Sequence, residues 1–170
     1  LAMSSAADKQ TFQDLWLGYT ETFGNKELRY EISKTYDTAK PEHILCFAGA
    51  EEGLYVAMRV LLRHNDHAII VVPNYQAAET IPLDICEVSG VPLNPEENWS
   101  LDIDRVKNEI RPNTKLISIN FPNNPTGAIL ARERLDELIR ICRNRGLYLF
   151  SDEVYRLLER NTKLRLPQIA

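Results

Sequence analysis

An α/β fold on a largely parallel sheet is predicted by three features of the sequence. Short apolar runs alternate with stretches of helical period. One of those runs, Ala68-Ile69-Ile70-Val71-Val72, is unbroken and rich in β-branched residues, as in a strand buried on both faces. Most of the runs end in turn-forming residues, the pattern of strands separated by crossover helices.

Taken in order, the first ~20 residues show no clear period and read as an arm or an incomplete element. A helix is predicted around Glu27 to Tyr36, with Leu28 and Ile32 turned inward. Ile44-Leu45-Cys46-Phe47 is a short strand-like run ending at Ala48-Gly49. Leu54, Ala57, Met58, Leu61 and Leu62 then recur at helical spacing. The Ala68–Val72 strand stops at Pro73-Asn74, and Leu83 to Val88 is a further candidate strand. Ile103, Val106 and Ile110 share a helix face that Asp102 caps and Pro112 closes. Leu116-Ile117-Ser118-Ile119 is a strand running into Pro122-Asn123-Asn124-Pro125-Thr126-Gly127. Leu135, Leu138, Ile139 and Cys142 line the clearest helix, with arginines near its end and Gly146 just past it. Leu147-Tyr148-Leu149-Phe150 is the last strand, ending at Ser151-Asp152.

The 170 residues suit one domain or a piece of a larger one, and 44% hydrophobic residues suffice for a sizeable core. A net charge of −4 argues against a basic nucleic-acid surface. No apolar run is long enough to span a bilayer, and Leu1-Ala2-Met3-Ser4-Ser5 carries no secretory pattern. Cys46, Cys86 and Cys142 sit in apolar runs and are expected to be buried and reduced, in a cytoplasmic protein. His43, His64 and His67 flank turns without ligand spacing, so no metal is assigned. Arg59, Arg63 and Arg132 read as solvated charges.

Ligands of open α/β sheets bind beyond the carboxyl ends of the strands, so the residues just after each strand are the candidates. They are Gly49-Ala50-Glu51-Glu52-Gly53 opening a helix, Pro73-Asn74-Tyr75, Asn123-Asn124-Pro125-Thr126-Gly127, and Asp152-Glu153-Val154-Tyr155. A helix N-terminus, an aromatic ring, an amide and a carboxylate on one rim suit a planar, anionic heteroaromatic ligand. Each has an ordinary reading as well. Gly49-Ala50 is a plain turn, and Glu51 and Glu52 are first-turn acids. Tyr75 is then a packing residue, Asn124 a turn former and Asp152 a helix cap.

In this order the residues resemble a known family. Asn124-Pro125-Thr126-Gly127 followed by Ser151-Asp152-Glu153-Val154-Tyr155 is similar to the signature of class I/II aminotransferases, fold type I enzymes that use pyridoxal 5′-phosphate (PLP). The resemblance also takes in Tyr19 to Arg29, Gly49-Ala50-x-Glu and Pro73-x-Tyr75, and so nearly the whole chain from Tyr19. It implies an incomplete fold type I large domain over residues 21–170, a mostly parallel sheet flanked by helices; residues 1–20 stay an arm or incomplete N-terminal segment.

It further implies that the Ala50 and Glu51 N–H groups hold the cofactor phosphate and that Tyr75 stacks on the ring. Asn124 and Tyr155 would bond the ring's phenolic oxygen, and Asp152 the protonated ring nitrogen. Tyr19 would reach the phosphate of the other subunit's cofactor in a homodimer. The implied reaction moves an amino group between an amino acid and a 2-oxo acid, and β-lyase, decarboxylase or cyclising chemistry on the same scaffold stays open. So does a non-catalytic, regulator-type PLP-binding module, while the nucleotide-binding glycine motifs do not occur.

The family's Schiff-base lysine lies well beyond the Asp-x-x-Tyr motif, and Lys163 is too close to Tyr155 and in too charged a segment to be it. The sequence is therefore expected to be part of an aminotransferase, without its catalytic base and inactive alone.

Overall fold

The computed structural model describes residues 5–19 and 21–169; Leu1 to Ser4, part of the segment read for a secretory pattern, lie outside these residues, as do Thr20 and Ala170. The chain divides into two compact units, Leu1–Cys46 and Phe47–Ala170.

The first unit holds α1 (Ala6–Gln13) and α2 (Lys26–Ser33). Helix α1 lies inside the segment read as an arm. Its start is a reciprocal capping box, in which Asp8 N–H donates to Ser5 Oγ at 3.1 Å and Ser5 N–H donates to the Asp8 carboxylate at 3.0 Å. Asn25 caps α2 by accepting from Glu27 and Leu28 N–H. Leu28, expected to face inward, is half-exposed, and neither helix buries a residue fully. Within this unit Arg29 donates to the Gly24 and Pro41 carbonyls at 3.0 and 2.9 Å. Ile44–Phe47 is not a strand. Cys46 N–H donates to the Phe23 carbonyl, but no strand among the described residues pairs with the run, and an apolar pattern without a ladder partner does not make a strand.

The second unit is a parallel sheet with helices on both faces. Strands β1 (His67–Val72), β2 (Glu87–Pro92), β3 (Thr114–Asn120) and β4 (Tyr148–Asp152) lie in the order β2-β1-β3-β4. Helices α3 (Ala50–Leu61) and α4 (Gln76–Leu83) cover one face, where Leu54, Met58, Ala77 and Ala78 pack with Ala68, Ile70 and Leu116. Helices α5 (Ile103–Glu109) and α6 (Arg132–Arg145) cover the other, where Ile103, Val106, Leu135 and Leu138 pack with Ile69 and Ile117. The β1 run is continuous in apolar residues because alternate side chains meet different helix layers, and both layers are dry.

Helices α5 and α6 follow the expectation. The Asp102 carboxylate accepts from Asp104 N–H, and Gly146 takes the left-handed conformation (φ 65°) that ends α6. The strand expected at Leu83 to Val88 instead lies at Glu87–Pro92, displaced by α4. Pro82 stands near the end of α4 and is buried, and the apolar run straddles helix end and strand start. Of the three cysteines only Cys142 is fully buried, and burial pushes its thiol up to about 11. No helix among the described residues is long and apolar enough to cross a membrane.

The amino-end rim of the sheet carries a buried polar cluster. The His67 ring lies 2.8 Å from Thr114 Oγ1 and 3.0 Å from Ser89 Oγ, and Arg111 also donates to Ser89. Burial, then the Arg111 charge, holds His67 below its ordinary value against the opposing pull of Glu87 and Glu109. The unfolded chain therefore takes up the proton first, near pH ~6.5, and stability falls as pH drops from there to the folded value. Urea unfolding at about pH 5 and about pH 8 should show a larger loss of midpoint for the unaltered chain than for His67→Gln. Equal losses would remove His67 from the account.

Candidate cofactor site at the carboxyl ends of the strands

From β1 the chain moves to β2 on one side, then returns past β1 to β3 and β4. The direction of winding thus reverses between β1 and β3, which leaves a crevice beyond their carboxyl ends. Around it stand six of the seven residues expected at the site.

Helix α3 begins at this rim. Gly49, its N-cap, is extended (φ −179°, ψ 159°), has no side chain to cap the helix, and a Cβ at that position would meet no atom within 4 Å. The Ala50 and Glu51 N–H groups have no protein partner among the described residues. Two unsatisfied donors, a helix dipole and open space are the chemistry that receives an anion. The acids beside them are turned to other tasks. The Glu52 carboxylate accepts from Ala48 N–H at 2.8 Å, and the Glu51 carboxylate accepts from the Tyr75 hydroxyl at 3.3 Å.

Tyr75 is the N-cap residue of α4, on a turn fixed by Asn74, whose amide donates to the Val71 carbonyl and whose oxygen accepts from Tyr75 N–H. The ring therefore reaches from the start of α4 to the first turn of α3. The Glu51 charge, then burial, holds the Tyr75 hydroxyl above its ordinary value, so it stays a neutral donor.

The loop after β3 is built around Asn123. Its oxygen accepts from Thr126 N–H and the Thr126 hydroxyl, and its amide donates to the Pro73 carbonyl at 3.0 Å, pinning the loop to the end of β1. Gly127, at φ 72°, makes the turn back. Half-buried Asn124 keeps its side-chain amide free of protein partners among the described residues. On β4, Asp152 pairs in register with Asn120 and has the parity of Phe150, which packs on the α3–α4 face, so its side chain belongs to that face. One carboxylate oxygen accepts from Val154 N–H at 3.0 Å, an Asx turn that leads to Tyr155, itself 41% exposed. Glu153, of opposite parity, accepts from the Ser151 hydroxyl and faces Arg156; burial holds its carboxyl above the ordinary range.

Ala50, Glu51, Tyr75, Asn124, Asp152 and Tyr155 thus share one rim. Tyr19 lies in the other unit, with its side chain almost wholly exposed. The donor set fits PLP: N–H groups for a phosphate, an aromatic face, an amide and a phenol for a ring oxygen, and a carboxylate for a ring nitrogen. In the sequence Asn123 stands only as part of the turn after the strand, and Asn120 is not singled out; its one visible signal is an amide at a strand end where an apolar run should close. The residues set aside as solvated are engaged at the surface: Arg59 with Asp84, Arg132 with Asp136, and Arg63 with carbonyls ending α3.

Residues 2–168 match the family model described as aminotransferase class I and II. The chain is 34% identical over 155 residues to an aspartate aminotransferase of Pyrococcus horikoshii, covering 88% of this chain and 40% of that one. It is 35% identical to a probable aspartate/prephenate aminotransferase of Aquifex aeolicus, covering 81% and 36%. In structure it resembles a PLP-dependent aminotransferase from Streptococcus suis, with TM-score 0.86, 35% identity, and 95% of this chain and 42% of that one covered. A Thermus thermophilus aspartate aminotransferase with maleate gives TM-score 0.84 at 27% identity, with 94% and 43% covered. The chain spans about two fifths of the length of these relatives. With its fold and its strand-end residues in the family's order, the chain belongs to the class I and II aminotransferases.

Proposed function

We propose that the chain is the cofactor-binding part of an aminotransferase that moves an amino group between an amino acid and a 2-oxo acid, with PLP as cofactor. The observation that carries this reading is the gathering of the α3 N-terminus, Tyr75, Asn124, Asp152 and Tyr155 on one rim of the sheet. In this reading the Ala50 and Glu51 N–H groups hold the phosphate. The Tyr75 ring covers the pyridine face and keeps water from it. Asn124 and Tyr155 donate to the phenolic oxygen, and Asp152 accepts from the protonated ring nitrogen. When bound, PLP supplies an electron sink for the charge left at the substrate α-carbon.

Lys163, exposed on the short turn Thr162–Leu164, is the one lysine that follows Tyr155 in these 170 residues. It is the wrong setting for a base that works at the cofactor, so the chain alone is expected to bind PLP without turning over. The exposed Tyr19 ring is free to meet a partner copy, which supports a homodimer with a shared site. Three free cysteines accord with a reducing, cytoplasmic setting.

The test is a PLP titration followed by quenching of Tyr and Trp fluorescence, with an amino-transfer assay on aspartate and 2-oxoglutarate. Saturable binding with transfer no faster than free PLP gives is expected. Absence of saturable binding overturns the cofactor reading, and sustained transfer overturns the inactivity.

A further inference from the structure

The Asn120 amide is buried, 1% exposed, at the last position of β3, and both its ends are spent on the site's backbone. Its Nδ2 group donates to the Asp152 carbonyl at 3.1 Å, and its Oδ1 accepts from Asn124 N–H at 2.7 Å. One rigid group thus joins the residue expected at the ring nitrogen to the residue expected at the ring oxygen. No ladder bond of the sheet does this, because Asn124 stands four residues beyond the strand, past Pro122 and the turn that begins there. Phe121 N–H adds a second, longer bond to the same Asp152 carbonyl, which leaves the Asn124 side of the joint to Asn120 alone among the described residues.

We propose that Asn120 is a positioning residue that sets the spacing between Asn124 and Asp152, and through it the grip on the two ends of the cofactor ring. The inference rests on the PLP reading above. It makes Asn120 act on the ring and not on the phosphate, which is held on α3. A buried amide with both hydrogen-bonding ends used is costly to replace, and the cost falls on the geometry of the two residues it joins.

The test compares Asn120→Ala, which loses both bonds, with Asn120→Asp, which keeps the shape and the acceptor for Asn124 N–H but loses the donor to Asp152. PLP affinity, the pH midpoint of the bound cofactor's absorption, and hydrogen exchange at the Asn124 amide are read for each. Asn120→Ala is expected to weaken PLP about fivefold, to move the absorption midpoint, and to speed exchange at Asn124. Asn120→Asp is expected to weaken PLP and move the midpoint while the Asn124 amide stays protected. In an Asp152→Ala background the further loss from Asn120→Ala should shrink to less than about twofold. Unchanged affinity and midpoint in either folded variant, or a loss of full size in the Asp152→Ala background, overturns the proposal. If the unaltered chain shows no saturable PLP binding, the cofactor reading itself has failed and this inference falls with it.

Discussion

Asp152→Asn is expected to weaken PLP binding about 100-fold while leaving the fold in place. The substitution keeps size and shape, and an Asn oxygen still accepts the Val154 N–H that Asp152 holds at 3.0 Å. The backbone carbonyl of residue 152 still receives the Asn120 amide and Phe121 N–H. What is lost, on the proposed reading, is the charge that would face a protonated pyridine nitrogen. Removing one partner of a charge-assisted bond in a half-buried place leaves the other without compensation, and a loss of roughly 3 kcal/mol is the scale of that effect. Asp152→Ala should weaken PLP at least as much and also lower the thermal midpoint, because it gives up the Asx turn too. Fluorescence titration and thermal unfolding of both variants separate the charge from the turn. If Asp152→Asn binds PLP as tightly as the unaltered chain, Asp152 is a turn residue and the ring nitrogen lies elsewhere.

Much of this rim was legible because an α/β sheet presents its strand ends to ligands, so finding the strands finds the candidates. β1 announced itself by a run with no polar break, α5 by Asp102 and α6 by Gly146, each a local rule that tertiary packing did not override. The failures share a different cause. Ile44–Phe47 carried a strand pattern, but a strand needs a neighbour, and pairing is not a local property. Leu83 to Val88 carried a strand-like apolar run, but it straddles the end of α4 and the start of β2, and where a helix hands over to a strand is not set by apolarity. Asn120 and Asn123 look like polar interruptions at the end of a strand; their value comes from carbonyls up to 50 residues away in the chain. Glu51 was expected to offer its N–H to an anion; the bond its carboxylate accepts from the Tyr75 hydroxyl depends on two helix starts meeting at one rim.

Ala50→Pro tests the other end of the site, and it is expected to weaken PLP binding at least about tenfold with little change in stability. Proline is costly in most of a helix, but Ala50 is the first helical residue of α3, where its N–H has no intrahelical partner to lose. The residue before a proline must be extended, and Gly49 already is, at φ −179° and ψ 159°. Gly49 has no Cβ for the ring to meet. The change therefore deletes one N–H group, on the proposed reading a donor to the phosphate, and almost nothing else. A bond to a charged group carries about 1.5–3 kcal/mol, which sets the tenfold floor. Ala50→Ser keeps the N–H and should bind PLP as the unaltered chain does. If the lost donor serves the phosphate as proposed, inorganic phosphate should compete less well against PLP in the titration of Ala50→Pro, whereas Asp152→Asn should leave phosphate binding as it was. Unchanged PLP affinity in a folded Ala50→Pro chain would mean that the anion is not held by this helix, and that the rim's aromatic and carboxylate groups act on a ligand bound in another way.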